Sequence, residues 1–153
     1  STFYRFKNLP SDDILNALNI IYDVHLQIAE KGFIAVDFYD GCIIYDFENK
    51  LINLCDFDEY HSGTFILQEK RLPGSSRFMA PEEFIRGELI EQSTNVFTLG
   101  RTALVFLSNG TTDKSFWKGP EKLLPIIEKA VSKERKNRYQ TIKEFVTDWI
   151  SNL

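Results

Sequence analysis

The sequence predicts a mainly α-helical fold that carries one short β-hairpin. Three observations lead to this fold class. Apolar residues recur near helical period in four segments. Two short apolar runs flank a single polar turn, as in a small hairpin. The chain has 153 residues, of which 43% are hydrophobic, so it can bury one sizeable core. We therefore expect residues 1–153 to form a single domain.

The first predicted helix starts at Ser11 and ends before Gly32. Ser11 can cap the exposed backbone N–H groups, and the two acids after it suit the positive end of the helix dipole. Only ten residues precede this helix. Its predicted apolar face consists of Ile14, Leu18, Ile21, Val24 and Ile28.

The predicted hairpin pairs residues 42–45 with residues 51–55, around the polar turn 48–50. The following segment, residues 56–77, lacks periodicity and contains the turn-forming dipeptides Ser62-Gly63, Pro73-Gly74 and Ser75-Ser76. Irregular connections of this length are usually functional or mobile.

Three further helices are predicted, over residues 94–107, over residues 120–131 and from Thr141 onward. Pro120 suits a first helical position. Thr141 and Glu144 fit a capping box. The side chains that this last helix is expected to bury are Phe145 and Trp149.

Composition excludes several classes of protein. The net charge of -4 argues against a nucleic-acid binder, which normally presents a basic face. The longest apolar runs, such as residues 102–107, are too short to span a membrane, and no N-terminal signal is visible. We therefore expect a cytoplasmic protein. The two cysteines and two histidines match no metal signature, so both thiols are expected to stay reduced.

Two aspartates flank the predicted hairpin. Asp37 precedes it and Asp56 follows it, so both should lie at the same end. Phosphoryl transfer needs one carboxylate to orient the attacking hydroxyl and another to hold Mg²⁺ on the phosphates. Aspartates in loops also form turns and caps, and that interpretation stays open for either residue alone.

Three other segments resemble protein-kinase motifs, in the kinase order. Gly74-Ser-Ser-Arg-Phe-Met-Ala-Pro-Glu82 is similar to the end of an activation segment. Asn95-Val-Phe-Thr-Leu-Gly100 and Lys136-Asn-Arg138-Tyr-Gln-Thr141 are similar to two later kinase segments. Residues 11–153 thus resemble the C-terminal lobe of a eukaryotic-type Ser/Thr protein kinase.

The resemblance implies a role for each matching residue. Asp37 would be the catalytic base, and the Ser75 hydroxyl would bond that aspartate. Asp56 would bind the metal, and Phe57 would pack beside it at the cofactor site. A further implication is a buried ion pair between Glu82 and Arg138.

Several positions depart from the kinase pattern. Ala35 and Val36 replace the His and Arg of the catalytic loop, and Tyr39 replaces a Lys. Cys42 occupies the position of an Asn that binds the second metal at the cofactor site. A neutral thiol is a poor Mg²⁺ ligand.

Two further departures bear on the metal and on the catalytic loop. Asp58 replaces the Gly of the metal loop, so Asp58 or Asp40 can supply an oxygen in place of the lost Asn. Asn95 replaces an Asp that braces the catalytic loop, although an amide can still bond the backbone.

The resemblance implies an ATP-dependent and Mg-dependent phosphotransferase with a protein Ser or Thr as its acceptor. Residues 1–153 contain no Gly-rich strand pair and no strand lysine, so ATP and Mg²⁺ are expected to bind only with an N-terminal lobe. The lobe alone should be inactive. Two alternatives remain: a pseudokinase that binds a protein partner, and a small-molecule kinase of the choline or aminoglycoside type. The surface that would face an N-terminal lobe is also expected to favour a homodimer.

Overall fold

A computed structural model describes residues 2–153, and this part of the chain contains five α-helices and six short strands. No helix in residues 2–153 is long and apolar enough to cross a membrane. The helices are α1 (Thr2–Lys7), α2 (Ser11–Glu30), α3 (Gln92–Leu107), α4 (Leu124–Ala130) and α5 (Ile142–Ser151). The strands are β1 (Phe33–Ile34), β2 (Ile43–Asp46), β3 (Leu51–Leu54), β4 (His61–Ser62), β5 (Phe65–Ile66) and β6 (Leu89–Ile90). The prediction of a mainly helical fold is confirmed.

Helix α2 matches its prediction, but Ser11 does not cap it. Ser11 is the first helical residue, and Pro10 takes the cap position without a side-chain bond. The Ser11 hydroxyl instead donates to the carbonyl of Lys118 at 3.1 Å. The helix therefore starts against a distant loop rather than with its own cap.

Helix α1 was not predicted, since its six residues are too few to show a period. Its stability comes from packing. Phe6 is buried and meets Tyr45 and Phe106 edge to face, each at 5.0 Å between ring centroids. Such aromatic pairs add stability beyond the area that they bury.

The β2–β3 hairpin confirms the predicted strand pairing, with Ile43 opposite Leu54 and Asp46 opposite Leu51. Its turn is closed by Asp46, whose Oδ1 accepts from the backbone N–H groups of Glu48 at 3.0 Å and Asn49 at 3.1 Å. Aspartate commonly closes turns in this way.

The predicted hairpin is present, but the prediction missed two more antiparallel pairs of strands in residues 2–153. Strand β1 pairs with β4, and β5 pairs with β6. Both β4 and β5 lie in the segment predicted to be irregular. Each of these strands has two residues, which is too short for a period-two pattern to be visible.

The later helices follow the predictions with two changes. The segment predicted as one helix over residues 120–131 contains a 3₁₀ turn, Glu121–Leu123, followed by α4. In the capping box of α5, the Thr141 hydroxyl accepts from the N–H of Glu144 at 3.1 Å as predicted. The Glu144 carboxylate, however, accepts from the N–H of Gln140 at 3.1 Å. Phe145 and Trp149 are buried as expected.

The main core lies around α3, which is buried along almost its whole length. A helix that is buried on all sides belongs at the centre of a domain. Helix α2 is tied to it by the Tyr22 hydroxyl, which donates to the Leu99 carbonyl at 2.9 Å. Tyr22 also meets Trp149 of α5 edge to face at 5.0 Å. A smaller apolar cluster is formed by Ile34, Val36, Leu67, Leu72, Met79 and Ile90.

Candidate functional site

The open end of the β2–β3 hairpin brings the two predicted site aspartates together. Beyond the Ile43–Leu54 pair, the backbone N–H of Cys55 donates to the carbonyl of Cys42 at 2.9 Å. This bond extends the pairing by one residue. The loop that carries Asp37 and the loop that carries Asp56 therefore leave the hairpin side by side.

Asp37 is half-buried, whereas Asp56 is exposed, and both residues have a φ of 63°. Burial raises the pKa of the Asp37 carboxyl, and the negative charge of Asp56 raises it further. A carboxylate with a raised pKa is a better proton acceptor than an ordinary one. The two acids thus differ in a way that suits a base and a metal ligand.

Cys42 is buried beside Asp37, and its thiol donates to the Asp37 carbonyl at 3.4 Å. Burial raises the pKa of the Cys42 thiol, so the sulfur stays neutral near physiological pH. A neutral thiol is not a ligand for Mg²⁺. Cys55 is half-buried, and its thiol lies 3.6 Å from Asp56 Oδ2. Both cysteines are free thiols.

The loop that follows β3 offers few side chains that can bind a metal. Asp58 is exposed, and Phe57 is half-buried and lies 4.8 Å from the Tyr60 ring. Within residues 2–153, no three acidic, histidine or cysteine side chains are grouped so that they can hold a metal ion. Mg²⁺ commonly binds through one or two carboxylates together with substrate phosphates and water. Asp56 therefore fits a Mg²⁺ ion that arrives with a phosphate, and the described residues do not fit a permanent metal centre.

The segment that carries Ser75 passes directly over Asp37. A β-carbon built on Gly74 would lie 3.5 Å from Asp37 Oδ1 and 3.1 Å from Met79 Sδ, and the φ of Gly74 is 145°. Glycine is therefore favoured here by its positive φ, and a β-carbon would also crowd the Met79 sulfur. Within residues 2–153, no hydrogen bond joins the Ser75 hydroxyl to Asp37, although the Ser75 carbonyl accepts from the Phe78 N–H at 3.0 Å.

Asp40 is bound to a residue that the sequence did not suggest. Its Oδ2 lies 3.0 Å from Arg77 Nη2, and the backbone carbonyl of Arg77 accepts from Arg101 Nη1 at 3.1 Å. A carboxylate paired in this way is a weaker candidate to replace the missing metal ligand. Asp58 therefore remains the better of the two alternatives.

The predicted Glu82–Arg138 pair is present and buried. Arg138 Nη1 lies 2.8 Å from Glu82 Oε2, and it also donates to the carbonyl of Ser93 at 3.2 Å. Arg135, which was not predicted, lies 3.5 Å from the same carboxylate oxygen and 3.2 Å from Glu91. Arg135 and Arg138 therefore connect Glu82, in the segment that follows Asp56, to the start of α3.

A cavity of about 650 Å³ lies between α1 and the start of β2. Asp40 lines it, whereas Asp37 and Asp56 do not. Its walls are mainly aromatic and aliphatic, which is typical of small-molecule sites. Arg5 lies at this cavity with its guanidinium carbon 4.0 Å above the Phe47 ring. The lining residues are Thr2, Phe3, Arg5, Phe6, Asp40, Gly41, Ile43, Ile44, Tyr45, Phe47 and Phe106.

No protein-family model matches the chain, and no curated protein matches it significantly.

Proposed function

We propose that the chain is the C-terminal lobe of a divergent protein-kinase-like phosphotransferase. In this proposal the enzyme transfers the γ-phosphoryl group of ATP to a hydroxyl, with a protein Ser or Thr as the preferred acceptor. The observation that carries the proposal is the approach of Asp37 to Asp56 at the open end of the β2–β3 hairpin. Burial raises the pKa of Asp37, and the two carboxylates are close enough that the charge of Asp56 raises it further.

The roles of the two acids follow from their surroundings. Asp37 is half-buried, so it is suited to orient the attacking hydroxyl and to receive its proton. Asp56 is exposed, so it is suited to meet a phosphate-bound Mg²⁺, which when present neutralises charge on the transferred group. Each role needs a carboxylate that is not already held in an ion pair.

The buried Glu82–Arg138 pair supports the lobe architecture. It joins the segment that passes over Asp37 to the late helices, as the kinase resemblance implies. Two charges that are buried together in this way are costly to separate. The buried pair therefore holds in place the segment that passes over Asp37, and it is not a surface ion pair.

The test has a binding arm and a transfer arm. Calorimetric titration of Mg-ATP into a protein that joins residues 1–153 to an N-terminal lobe should show binding, and Asp56→Ala should abolish it. Asp12→Ala, at an exposed acid in the first turn of α2, should leave binding unchanged. Asp37→Asn should keep binding but slow phosphate transfer about 10²–10⁴-fold. Equal heats of binding before and after Asp56→Ala would refute the proposal.

One observation favours a second candidate, a protein-interaction module without catalysis. Cys42 is buried and its thiol is turned to the Asp37 carbonyl, so it offers no oxygen where a second metal ligand is needed. This candidate predicts a stable partner complex and no transfer of labelled phosphate. Robust autophosphorylation of the two-lobe protein would rule it out.

A further inference from the structure

His25 is a buried histidine of α2 with a partner at each ring nitrogen. Nδ1 lies 2.8 Å from the Ile21 carbonyl, and Nε2 lies 2.7 Å from the Tyr60 hydroxyl. A carbonyl can only accept, so Nδ1 carries the proton and Nε2 accepts from the Tyr60 O–H. Burial lowers the pKa of His25 to about 4 and raises that of Tyr60, so both groups stay in these states near neutral pH.

The same imidazole touches a residue next to each aspartate. Its ring centroid lies 4.5 Å from that of Phe38, which follows Asp37, and 6.4 Å from that of Phe57, which follows Asp56. Phe57 in turn lies 4.8 Å from Tyr60. His25 therefore sits where the two loops meet beneath the hairpin.

Residues 56–60 form a short loop between strands β3 and β4, which pair with β2 and β1 respectively. Among the described residues, the Tyr60–His25 bond is the one side-chain hydrogen bond that connects this segment to an element of secondary structure. The backbone bond from the Tyr60 N–H to the Phe57 carbonyl at 3.0 Å is internal to the segment. Ala35, two residues before Asp37, has a methyl group that can form no hydrogen bond to this loop.

We propose that His25 and Tyr60 act as positioning residues that hold the Asp56 loop against the Asp37 loop. The inference rests on the proposed function for what Asp56 does there. The position of the loop, however, is a property of residues 1–153 that can be measured without nucleotide.

The test compares two tyrosines on the 153-residue chain. Tyr60→Phe removes only the hydroxyl that bonds His25. Tyr22→Phe removes a buried hydroxyl that bonds the Leu99 carbonyl, far from the Asp56 loop along the chain. Amide hydrogen exchange is followed without nucleotide. Tyr60→Phe should speed exchange of the Tyr60 amide, which donates to the Phe57 carbonyl, about tenfold relative to α4, whereas Tyr22→Phe should leave that ratio unchanged.

A second readout separates loop positioning from general destabilisation. The half-buried Cys55 thiol adjoins Asp56, so its reaction with a disulfide reagent should accelerate in Tyr60→Phe and in His25→Leu. His25→Gln, which can still bond the Tyr60 hydroxyl, should restore the slow rate. Unchanged exchange of the residue 60 amide together with unchanged Cys55 reactivity in Tyr60→Phe would overturn the inference. If loosening occurs but the two-lobe protein never binds Mg-ATP, the positioning role stands and the proposed function fails.

Discussion

Asn95 and Ala35 exchange two hydrogen bonds of equal length. The Asn95 side chain accepts from the Ala35 N–H at 2.8 Å and donates to the Ala35 carbonyl at 2.8 Å. One amide thus pairs with both backbone groups of a residue that lies two positions before Asp37. It braces the Asp37 loop from the start of α3, and the bracing needs a donor as well as an acceptor.

Asn95→Asp is therefore expected to destabilise the fold. A carboxylate can still accept from the Ala35 N–H, but it cannot donate, so the buried Ala35 carbonyl loses its partner and faces a negative charge. We expect a loss of about 1–3 kcal/mol in the free energy of unfolding, measured by urea denaturation. A variant as stable as the parent chain would show that the donated bond contributes nothing.

Arg138→Met should be among the most damaging single changes. It leaves the buried Glu82 carboxylate without its 2.8 Å partner, and it removes bonds to the carbonyls of Ser132 at 2.7 Å and Lys133 at 3.2 Å. The expected loss in unfolding free energy is about 3–5 kcal/mol. Lys114→Met is the matched control, because it breaks an exposed pair with Glu128 and should cost less than about 1 kcal/mol. Similar losses in the two variants would contradict this prediction.

The stability of the chain should fall between about pH 4.5 and pH 8 because of Glu83. Burial is the main cause that raises the pKa of this carboxyl from 4.5 to about 8, and its Oε2 accepts from the Ala80 N–H at 2.6 Å. The unfolded chain releases this proton near its ordinary pKa, whereas the folded chain keeps it. Rising pH therefore favours unfolding until the pH passes about 8.

Glu83→Gln keeps an acceptor for the Ala80 N–H and cannot ionise. Urea denaturation of this variant should show nearly constant stability across the same range, with the largest gain over the parent chain at the alkaline end. If both proteins lose stability in parallel as the pH rises, Glu83 is not the group responsible.

The hairpin surface should promote self-association at high concentration. Ile44 and Leu51 lie on its outer face, where their side chains are 58% and 57% exposed. Sedimentation of the unaltered chain should show a dimer, and the double change Ile44→Glu and Leu51→Glu should abolish it. Ile150→Glu, at a residue of α5 that is 59% exposed, is the control and should leave association unchanged. A monomeric parent chain at high concentration would refute the prediction.

The sequence predicted the long helices and the two aspartates beside the hairpin. It did not predict the short elements, which form only through contacts with distant parts of the chain. Helix α2 shows a clear apolar period over twenty residues, so its bounds were predicted well. Helix α1 and strands β4 and β5 are too short to carry a pattern, and they form because other elements pack or pair with them. The sequence correctly indicated that Asp37 and Asp56 lie near each other, because both residues adjoin the same hairpin.

The partners of the site could not be predicted in the same way. His25 precedes Tyr60 by thirty-five positions, and Asp40 precedes Arg77 by thirty-seven. Nothing in the spacing of these residues indicates contact. His25 falls near the apolar stripe of α2, where a histidine is easily interpreted as a core residue.

The left-handed backbone at Asp37 and Asp56 makes both positions natural sites for glycine. A residue with a β-carbon is less stable than glycine in this conformation by about 1 kcal/mol. In a library randomised at the two positions and selected only for thermal resistance, glycine should therefore displace both acids. In a library selected for phosphate transfer, the acids should persist despite that disadvantage. The residue that each selection retains would reveal whether this chain works as part of a phosphotransferase.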